Sequence, residues 1–259
     1  MLSFPTDGFP SQSLGVVDRL IEVQDVPTEC PYIDGMSARM PLFGTTVDEL
    51  VGEDIDALLA GGFRRSGRYL YYTRCAPCHA CEPTRLDVSR FRRGASFKRV
   101  LRRAEQDLSL TWQIPRVDQE RVDLYNEHRD GRGLGSSPPI DRLNYYHFLL
   151  DSCMPSLELE IKKNGQLIGI SIMDVGANSV SAVYTHFDPA ASRYSPGTLA
   201  VLKQIQWAAE HQRRWAYLGL YVSSNSHLNY KSRFEPQQRL IAGQWRDILT
   251  PTGRAKSLG

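Results

Sequence analysis

Hydrophobic and polar positions change period several times along the chain, and each period predicts an element. Helical spacing of apolar residues predicts helices over residues 47–62, 95–108, 118–130, 141–153 and 195–214. Two-residue alternation and short apolar runs predict strands over residues 20–27, 63–74, 84–91, 110–115 and 215–222, with a final strand pair behind them. Ser96 and Asp118 are the predicted N-caps of two of the helices. Residues 1–14 are rich in Ser, Pro and Gly, and we expect them to be loose.

Residues 156–188 alternate as a three-stranded antiparallel meander. Asn164-Gly165 is a strong hairpin signal, and residues 176–178 supply the second turn. A long helix that begins at Ser195-Pro196 and a buried strand follow. This order predicts an α+β fold with a GNAT-like (acyl-CoA N-acyltransferase-type) core. A Cys-containing N-terminal subdomain precedes that core.

Length and composition are those of a globular protein. The chain has 259 residues, of which 41% are hydrophobic and 23% charged. It contains neither an apolar run of roughly 18 residues nor a signal-peptide pattern, so we expect a cytoplasmic protein without a membrane partner. The predicted organisation is an N-terminal extension at 1–29, an N-terminal domain at 30–115, the GNAT-like domain at 116–247 and a tail at 248–259.

The segment RCAPCHACEP places three of the five cysteines at equal spacing. Because C-x-x-C is the spacing of a metal knuckle, Cys75, Cys78 and Cys81 are candidate ligands of zinc or of an iron–sulfur cluster. Cys30 is the best fourth ligand, and His79 is a weaker one. The alternative is a cluster of reduced thiols that packs this region and binds nothing. Disulfides are disfavoured in a cytoplasmic protein.

Basic residues concentrate in one segment, although the net charge of the whole chain is only +2. Residues 85–103 contain eight basic residues and one acidic residue, a local charge of +7. In the predicted helix, Lys98 stacks on Arg102, and Arg99 stacks on Arg103. Like charges one turn apart repel each other, so the pattern favours a surface that binds nucleic-acid phosphates. The alternative is an ordinary solvated helix face.

Polar residues surround the last predicted crossover. An acetyl-CoA loop of the form Q/R-x-x-G-x-G/A does not fit, because Gly197 follows Arg193 by four residues and no second glycine comes after it. The pattern therefore favours an acyl donor other than coenzyme A. Tyr217, Tyr230 and Lys231 place polar groups after a buried strand, where ligands of α/β sheets bind. Each of them is alternatively an ordinary core or surface residue.

Several segments together resemble one known family. They are CPYIDGMSAR, GGFRRSGRYLYYTRCAPCHAC, SFKRVLRR, VYTHFDP, YLGLY and NYKSRFEP. Over residues 30–246 the chain resembles the aminoacyl-tRNA–protein transferases of the N-degron pathway, relatives of the arginyl-tRNA–protein transferases. Two positions depart from the family pattern: Pro196 stands where leucine is usual, and Leu220 lies in a strand that often reads Leu-Gly-Tyr.

The resemblance implies a reaction that needs no cofactor. An aminoacyl group, leucine or alternatively arginine, leaves a charged tRNA and joins the α-amine of a protein that begins with Asp or Glu, which marks that protein for degradation. DNA has no part in it. The basic helix would bind the tRNA, and backbone N–H groups near Ser195 would hold the oxyanion. The other candidates are Tyr217, Tyr230 and Lys231 for proton transfer and Arg39, Arg65, Arg74, Asp188 and Arg233 for substrate binding. The alternative from another class is a non-catalytic RNA-binding module that responds to metal or redox state.

Overall fold

The structure is a computed structural model that describes residues 14–134 and 138–248. Its helices are α1 (Leu14–Val17), α2 (Gly52–Ala60), α3 (Ala95–Asp107), α4 (Gln119–Gly131), α5 (Arg142–Tyr145) and α6 (Pro196–Glu210). The first strands are β1 (Leu20–Gln24), β2 (Pro27–Glu29), β3 (Ser37–Arg39), β4 (Leu42–Thr45), β5 (Arg64–Ser66), β6 (Tyr69–Tyr71) and β7 (Glu82–Asp87). The later ones are β8 (Ser109–Gln113), β9 (Ser156–Lys163), β10 (Gln166–Val175), β11 (Ser179–Phe187), β12 (Trp215–Tyr221), β13 (Gln237–Ile241) and β14 (Gln244–Ile248). The predicted loose segment 1–14, except Leu14, and the predicted tail, except Ile248, lie outside the described residues.

An eight-stranded mixed sheet forms the centre of the fold. Its order is β14-β13-β7-β12-β11-β10-β9-β8, and the β11–β12 pair is parallel whereas its other pairs are antiparallel. Asn164 and Gly165 have positive φ values of 50° and 83°, as a two-residue hairpin turn requires. The predicted meander, crossover helix and parallel strand are therefore present. The predicted α+β fold with an N-acyltransferase-type core is confirmed.

The two faces of this sheet are covered by different helices. Leu159 and Ile161 of β9 face α3 and α6, because they belong to the same buried cluster as Phe97 and Leu199. Glu158, the residue before Leu159, points to the opposite face, where it accepts hydrogen bonds from Arg121 of α4 at 2.7 and 3.0 Å. Strand alternation thus gives each face its own core.

A second, four-stranded sheet of order β1-β4-β6-β5 packs on one end of the large sheet together with α2. Phe43 and Leu70 of the small sheet and Ile55 of α2 share a buried cluster with Tyr217 of β12. The predicted N-terminal region also contributes directly to the large sheet, since β7 lies between β12 and β13. The small sheet therefore holds its side chains against the central strand β12.

Two helix predictions need comment. Asp118 caps α4, since its side chain accepts from the Arg121 N–H, as predicted. Ser96 does not cap α3, because the helix begins two residues earlier than that cap requires, at Ala95, and Gly94 is at the N-cap position. The predicted helix over 141–153 is α5 followed by a π-helical turn, Tyr146–Leu150, where the Gly67 N–H donates to the carbonyl of Phe148 at 3.0 Å. Across the described ranges, no helix is both long and apolar enough to cross a membrane.

Two buried histidines should make the fold sensitive to acid. Burial, together with the nearby Arg132 and His227, lowers the pKa of His128 to about 4. Burial, together with His128 and Arg121, lowers the pKa of His186 to about 3. Both rings stay neutral at pH 5 in the folded protein, whereas an unfolded chain protonates them below its ordinary pKa of about 6.5. We therefore expect the free energy of unfolding to fall as the pH drops from 6.5, by ~2 kcal/mol per histidine at pH 5.

Urea unfolding at pH 7 and pH 5 measures this effect. His128→Gln keeps an N–H that can donate to the carbonyl of Phe187, 3.0 Å from the ring nitrogen in the wild type. His186→Gln keeps a group that can bond the Tyr145 hydroxyl. Each variant should lose less stability on acidification than the wild type does, and exposed His79→Gln should change nothing. Equal losses in all four proteins would contradict the assignment.

Candidate active site

The parallel strands β11 and β12 separate at the centre of the sheet. Their ladder runs only from the pair Ser179–Trp215 to the pair Ser181–Tyr217, although β11 continues to Phe187 and β12 to Tyr221. A loop and a 3-10 helix, Asn229–Arg233, follow β12. The carboxyl end of β12 thus carries the polar residues that the sequence singled out. Ligands of open α/β sheets bind at this end of the strands.

Lys231 is buried at this end of β12. Lys231 is only 7% exposed, and its Nζ donates to the carbonyl oxygen of Leu220 at 2.6 Å. Burial, aided by the positive charge of Arg64, lowers the pKa of Lys231 well below its usual value. A buried lysine in such surroundings favours the neutral amine. It can then accept a proton from a reacting group.

Arg64 lies flat against β12. If Gly219 carried a Cβ, that atom would lie 2.8 Å from Nη2, 2.9 Å from Cζ and 3.1 Å from Nη1 of Arg64. Three nearly equal distances mean that one face of the guanidinium covers Gly219. This glycine also has a φ of 83°, at a register shift between β12 and β7, a conformation that other residues rarely adopt. Gly219 therefore provides the space that Arg64 occupies.

A groove of about 250 Å³ lies next to this pair, between residues 32–34 and residues 224–227. The Asn225 side chain bridges the two walls, because Nδ2 donates to the carbonyl oxygen of Tyr32 at 3.0 Å. The Tyr32 side chain reaches inward, where burial and a hydrogen bond with Tyr71 raise its pKa and the charge of Arg64 acts on it. Tyr32 thus forms the boundary between the groove and Arg64.

The two tyrosines predicted to be catalytic lie on opposite faces of the large sheet. Tyr217 belongs to the cluster around α2, and its hydroxyl accepts from Arg85 Nη1 at 3.2 Å. Tyr230 packs against the cluster around α3 and α6, with its ring 6.3 Å from that of Phe234. Burial raises the pKa of both hydroxyls. Only one of them can therefore share a face with Arg64, and Tyr217 does so, since both line one small cavity.

The start of α6 offers fewer N–H groups than the sequence suggested. The Ser195 N–H already donates to the carbonyl of Ser192 at 2.9 Å, and Pro196 has none. Asp188, predicted to bind substrate, accepts from the Ala190 N–H at 2.8 Å and so caps the 3-10 helix Pro189–Tyr194. Of the four residues 195–198, only 197 and 198 thus have N–H groups left for the predicted oxyanion role.

Three of the arginines predicted to bind a substrate carboxylate already hold a carboxylate of the protein. Arg39 and Arg74 both bond Asp25, Arg39 at 2.6 and 2.7 Å. Arg65 bonds Asp174 at 2.8 Å, with both side chains at most 2% exposed. The fourth, Arg233, is exposed and lies over the ring of Phe97 at 5.7 Å, beside the basic helix. Substrate recognition by any of these four remains a prediction.

Cys30, Cys75, Cys78 and Cys81 gather in space as predicted, and all four are free thiols. Burial, together with the charges of the other three cysteines, raises the pKa of Cys81 to about 12. Cys75 Sγ accepts from the Arg39 N–H at 3.2 Å, which ties the cluster to β3. Within the described residues, no group of three or more His, Cys, Asp or Glu side chains is arranged to hold a metal ion. The hypothesis of zinc or an iron–sulfur cluster therefore gains no support.

The basic helix α3 presents its charges to solvent. Its apolar stripe of Phe97, Leu101 and Ala104 is buried against the large sheet. The predicted phosphate-binding residues are all exposed: Lys98, Arg99, Arg102 and Arg103. Arg103 donates to the carbonyl of Arg193. The other three form no ion pair with any described residue. This surface is thus available to a polyanion.

The sequence prediction missed three cationic or titratable groups near the carboxyl ends of β11 and β12. Arg64 is the first. The only signals for it in the sequence were its place in the Arg64-Arg65 pair and the presence of Gly219 within a buried strand. Arg132 and His227 are the others, with Nη2 of Arg132 3.1 Å from Nδ1 of His227. They lie across the end of β11, since Arg132 also covers the ring of Phe187 at 5.9 Å. No local signal linked residues 95 positions apart in the chain.

Comparison with known proteins identifies the family. The family models described as the N terminus and the C terminus of arginine-tRNA-protein transferase match residues 28–99 and 120–241. The aspartate/glutamate leucyltransferase of Aeromonas salmonicida (strain A449) is 40% identical over 75% of this chain and 82% of its own length. That of Methylobacillus flagellatus is 35% identical, over 85% of this chain and 89% of its own.

Among solved structures, the chain is similar to the C-terminal domain of a putative lysylphosphatidylglycerol synthetase from Agrobacterium fabrum. The TM-score is 0.43 at 13% identity, over 67% of this chain and 53% of that one. The family match, in contrast, extends over both halves of the sequence and includes the residues at the carboxyl ends of β11 and β12. The chain belongs to the arginine-tRNA–protein transferase family, and it is an aminoacyltransferase whose substrates are an aminoacyl-tRNA and a protein.

Proposed function

We propose that this enzyme transfers leucine from leucyl-tRNA to the α-amine of proteins that begin with Asp or Glu, and thereby marks them for degradation. The relatives named aspartate/glutamate leucyltransferase, 34–40% identical, support this choice of donor and acceptor. One observation carries the chemistry. The buried amine of Lys231 lies close enough to Arg64 for the arginine charge to lower its pKa, and Arg64 has no carboxylate partner among the described residues. A proton acceptor and an anion-binding group thus share one end of β12.

The proposed reaction balances without a cofactor. The neutral α-amine attacks the ester carbonyl carbon, the C–N bond forms, and the bond from that carbon to the ribose oxygen breaks. Lys231 takes the proton from the amine and returns it to the departing ribose oxygen. Because the ester is already activated, positioning and stabilisation of the oxyanion supply most of the acceleration. The N–H groups of residues 197 and 198 are the proposed oxyanion donors, and Tyr217 and Tyr230 remain candidates for orienting the reactants.

We assign the tRNA backbone to the exposed face of α3. Lys98, Arg99 and Arg102 have no ion pair in the part of the chain that the structure describes, so their charges are available to phosphates. The same surface continues beyond α3 to Arg92 and Arg93, which come just before the helix, and to Arg233. All three are exposed near the start of α3. Contacts of this kind bind the backbone without reading its sequence. They would bring the 3′ end of a charged tRNA to the enzyme.

Arg99→Ala/Arg102→Ala should weaken the binding of leucyl-tRNA and reduce its dependence on salt. Each lost phosphate contact lowers the slope of log K against log salt concentration by about 0.7–0.9, so the slope should fall by up to about 2. Filter binding or fluorescence anisotropy between 50 and 200 mM salt, roughly the range over which such contacts weaken, measures it. Arg116→Ala/Arg142→Ala, which removes two exposed charges elsewhere, is the matched control. Identical slopes for both double variants would reject the assignment to α3.

The identity of the donor is tested directly. A peptide that begins with Asp is incubated with the enzyme and, in turn, leucyl-tRNA, arginyl-tRNA or acetyl-CoA, and the peptide is weighed by mass spectrometry. We expect a gain of one leucine residue. A gain of arginine would identify an arginyltransferase. A gain of an acetyl group would show that the donor is acetyl-CoA after all. No gain from any donor would overturn the proposed function.

A further inference from the structure

The guanidinium of Arg64 is set apart from the neighbouring arginines by its lack of a partner. Throughout residues 14–134 and 138–248, no hydrogen bond or ion pair engages it. The carboxylate of Asp174 acts on its charge, but both oxygens of that group are bonded to Arg65. Arg39 and Arg74 share Asp25. A partly buried charge without a counter-charge is unfavourable, and a protein retains one where a ligand supplies the missing anion.

The other groups around Arg64 do not supply a negative charge. The hydroxyls of Tyr71 and Tyr32 and the thiol of Cys81 lie near its charge. Burial raises the pKa of Tyr32, and it raises that of Cys81 to about 12. Lys231, on the remaining side, is an amine. At neutral pH the pocket therefore holds one uncompensated positive charge among neutral hydroxyl, thiol and amine groups. Such surroundings strengthen the attraction of an incoming anion, because little water screens it.

The orientation of the guanidinium determines which anion fits. Gly219 covers one face, so the N–H groups project from the edges. Two parallel N–H groups on one edge match the two oxygens of a carboxylate. The tRNA phosphates have the exposed charges of α3 instead, where several contacts can form together. Arg64 is a single, partly buried charge, and this favours a single small anion over a polyanion.

One space next to Arg64 is too small for a carboxylate, and another is large enough for the end of a chain. A cavity of about 10 Å³ between Arg64, Tyr217 and Gly219 has room for about one water molecule, and a carboxylate does not fit there. The groove of about 250 Å³ opens behind Tyr32 and is large enough for an extended chain end. A terminal residue in this groove would direct its side chain past Tyr32 toward Arg64.

We propose that Arg64 binds the side-chain carboxylate of the first residue of the acceptor protein, that Gly219 exists to admit its guanidinium, and that the groove between residues 32–34 and 224–227 receives the chain that follows. This inference rests on the proposed function and assigns its acceptor specificity to one residue. The sequence placed this role on Arg39, Arg65, Arg74 or Arg233. Arg39, Arg65 and Arg74 already hold a carboxylate of the protein, whereas Arg64 pairs with none among the described residues.

Four peptides that differ only in their first residue, Asp, Asn, Glu or Gln, test the proposal. We expect the wild-type enzyme to prefer Asp over Asn and Glu over Gln in kcat/KM by roughly 100-fold or more, because rejection of an analogue that leaves a buried polar group unpaired is strong. Arg64→Met should lower kcat/KM for the two acidic peptides roughly 100-fold and leave the two amides within about threefold, which removes the preference. Arg64→Lys keeps the charge without the paired N–H groups and should keep an intermediate preference.

Two further measurements separate the possible outcomes. Binding of fluorescent Asp and Asn peptides, measured without any tRNA, reports recognition even if folding of one variant limits transfer. Binding of leucyl-tRNA to each variant reports the donor side, and Arg68→Met, an exposed change on the same hairpin, is the matched control. An undiminished preference for Asp in both Arg64 variants would overturn the proposal. Loss of tRNA affinity with an intact preference would do the same and would assign Arg64 to a phosphate. If the wild type modifies no peptide from any donor, the proposed function fails first, and peptide binding still tests Arg64.

Discussion

Replacement of Lys231 by methionine should lower the rate of aminoacyl transfer by roughly 100- to 10,000-fold, the usual contribution of a positioned general base. The α-amine of the acceptor has a pKa near 8, so most of it carries a proton at neutral pH and must lose it to react. Burial and the charge of Arg64 hold the pKa of Lys231 well below its usual value, which keeps its amine ready to accept that proton. Methionine has a similar length and cannot accept a proton.

Single-turnover rates with saturating leucyl-tRNA and an Asp peptide measure the effect. Lys231→Met should melt at or above the wild-type temperature, because it removes a buried polar group whose Nζ has one hydrogen bond, to Leu220. Lys203→Met on α6, where Nζ bonds only the neighbouring Gln206 among the described residues, is the control and should transfer normally. The remaining rate of Lys231→Met should rise with pH as hydroxide and free amine become more abundant. A variant that keeps more than about a tenth of the wild-type rate would exclude Lys231 as the base.

Replacement of Arg65 by methionine should lower the free energy of unfolding by ~3–5 kcal/mol, the range found when one member of a buried ion pair is removed. Arg65 donates to Asp174 on β10, to the carbonyl of Leu149 at 3.1 Å and to the Ser156 hydroxyl at 3.3 Å. It therefore joins the small sheet, the π-helical turn and the large sheet at one point. Loss of the guanidinium leaves the carboxylate of Asp174 with one side-chain hydrogen bond among the described residues, from the Ser156 hydroxyl at 2.7 Å.

Urea unfolding of three variants tests this role. Arg68→Met lies three residues along the same hairpin, where Arg68 forms only partly exposed ion pairs with Asp48 and Asp151, and it should cost less than ~1 kcal/mol. Arg65→Met/Asp174→Leu removes both charges and should recover much of the stability that the single variant loses. If Arg65→Met is no less stable than Arg68→Met, the pair does not hold the sheets together.

Elements with a local signal were predictable from the sequence. Asn164-Gly165 requires positive φ at both positions, which fixes the hairpin between β9 and β10 and the alternation on either side. Pro196 marks the start of α6, and the stripe of Phe97, Leu101 and Ala104 defines the buried face of α3. In each of these cases the physical cause lies within a few residues of its effect. The fold class and the basic surface follow from such causes.

The partners of the arginines were not predictable, because their causes are distant in the sequence. Arg64 and Arg65 are adjacent in a three-residue strand, so they point to opposite sides, and no local pattern tells which of them meets Asp174. That residue is 109 positions away, and Gly219 is farther still. Arg39 and Arg74 likewise receive Asp25 from a segment that the sequence assigned to an extension. Charge pairing across two sheets can be read only from the fold.

The π-helical turn at Tyr146–Leu150 has a consequence for which changes of length the chain tolerates. It carries one residue more than an α-helical turn, and its widened backbone directs the carbonyls of Phe148 and Leu149 to Gly67 and Arg65. Deletion of one residue would close the turn into an ordinary helix and rotate these carbonyls by about 100°. The β5–β6 hairpin would then lose both hydrogen bonds, and the side chain of Arg64, in the same hairpin, would change its orientation. Substitutions that preserve the length of this segment should therefore be tolerated far better than any single deletion.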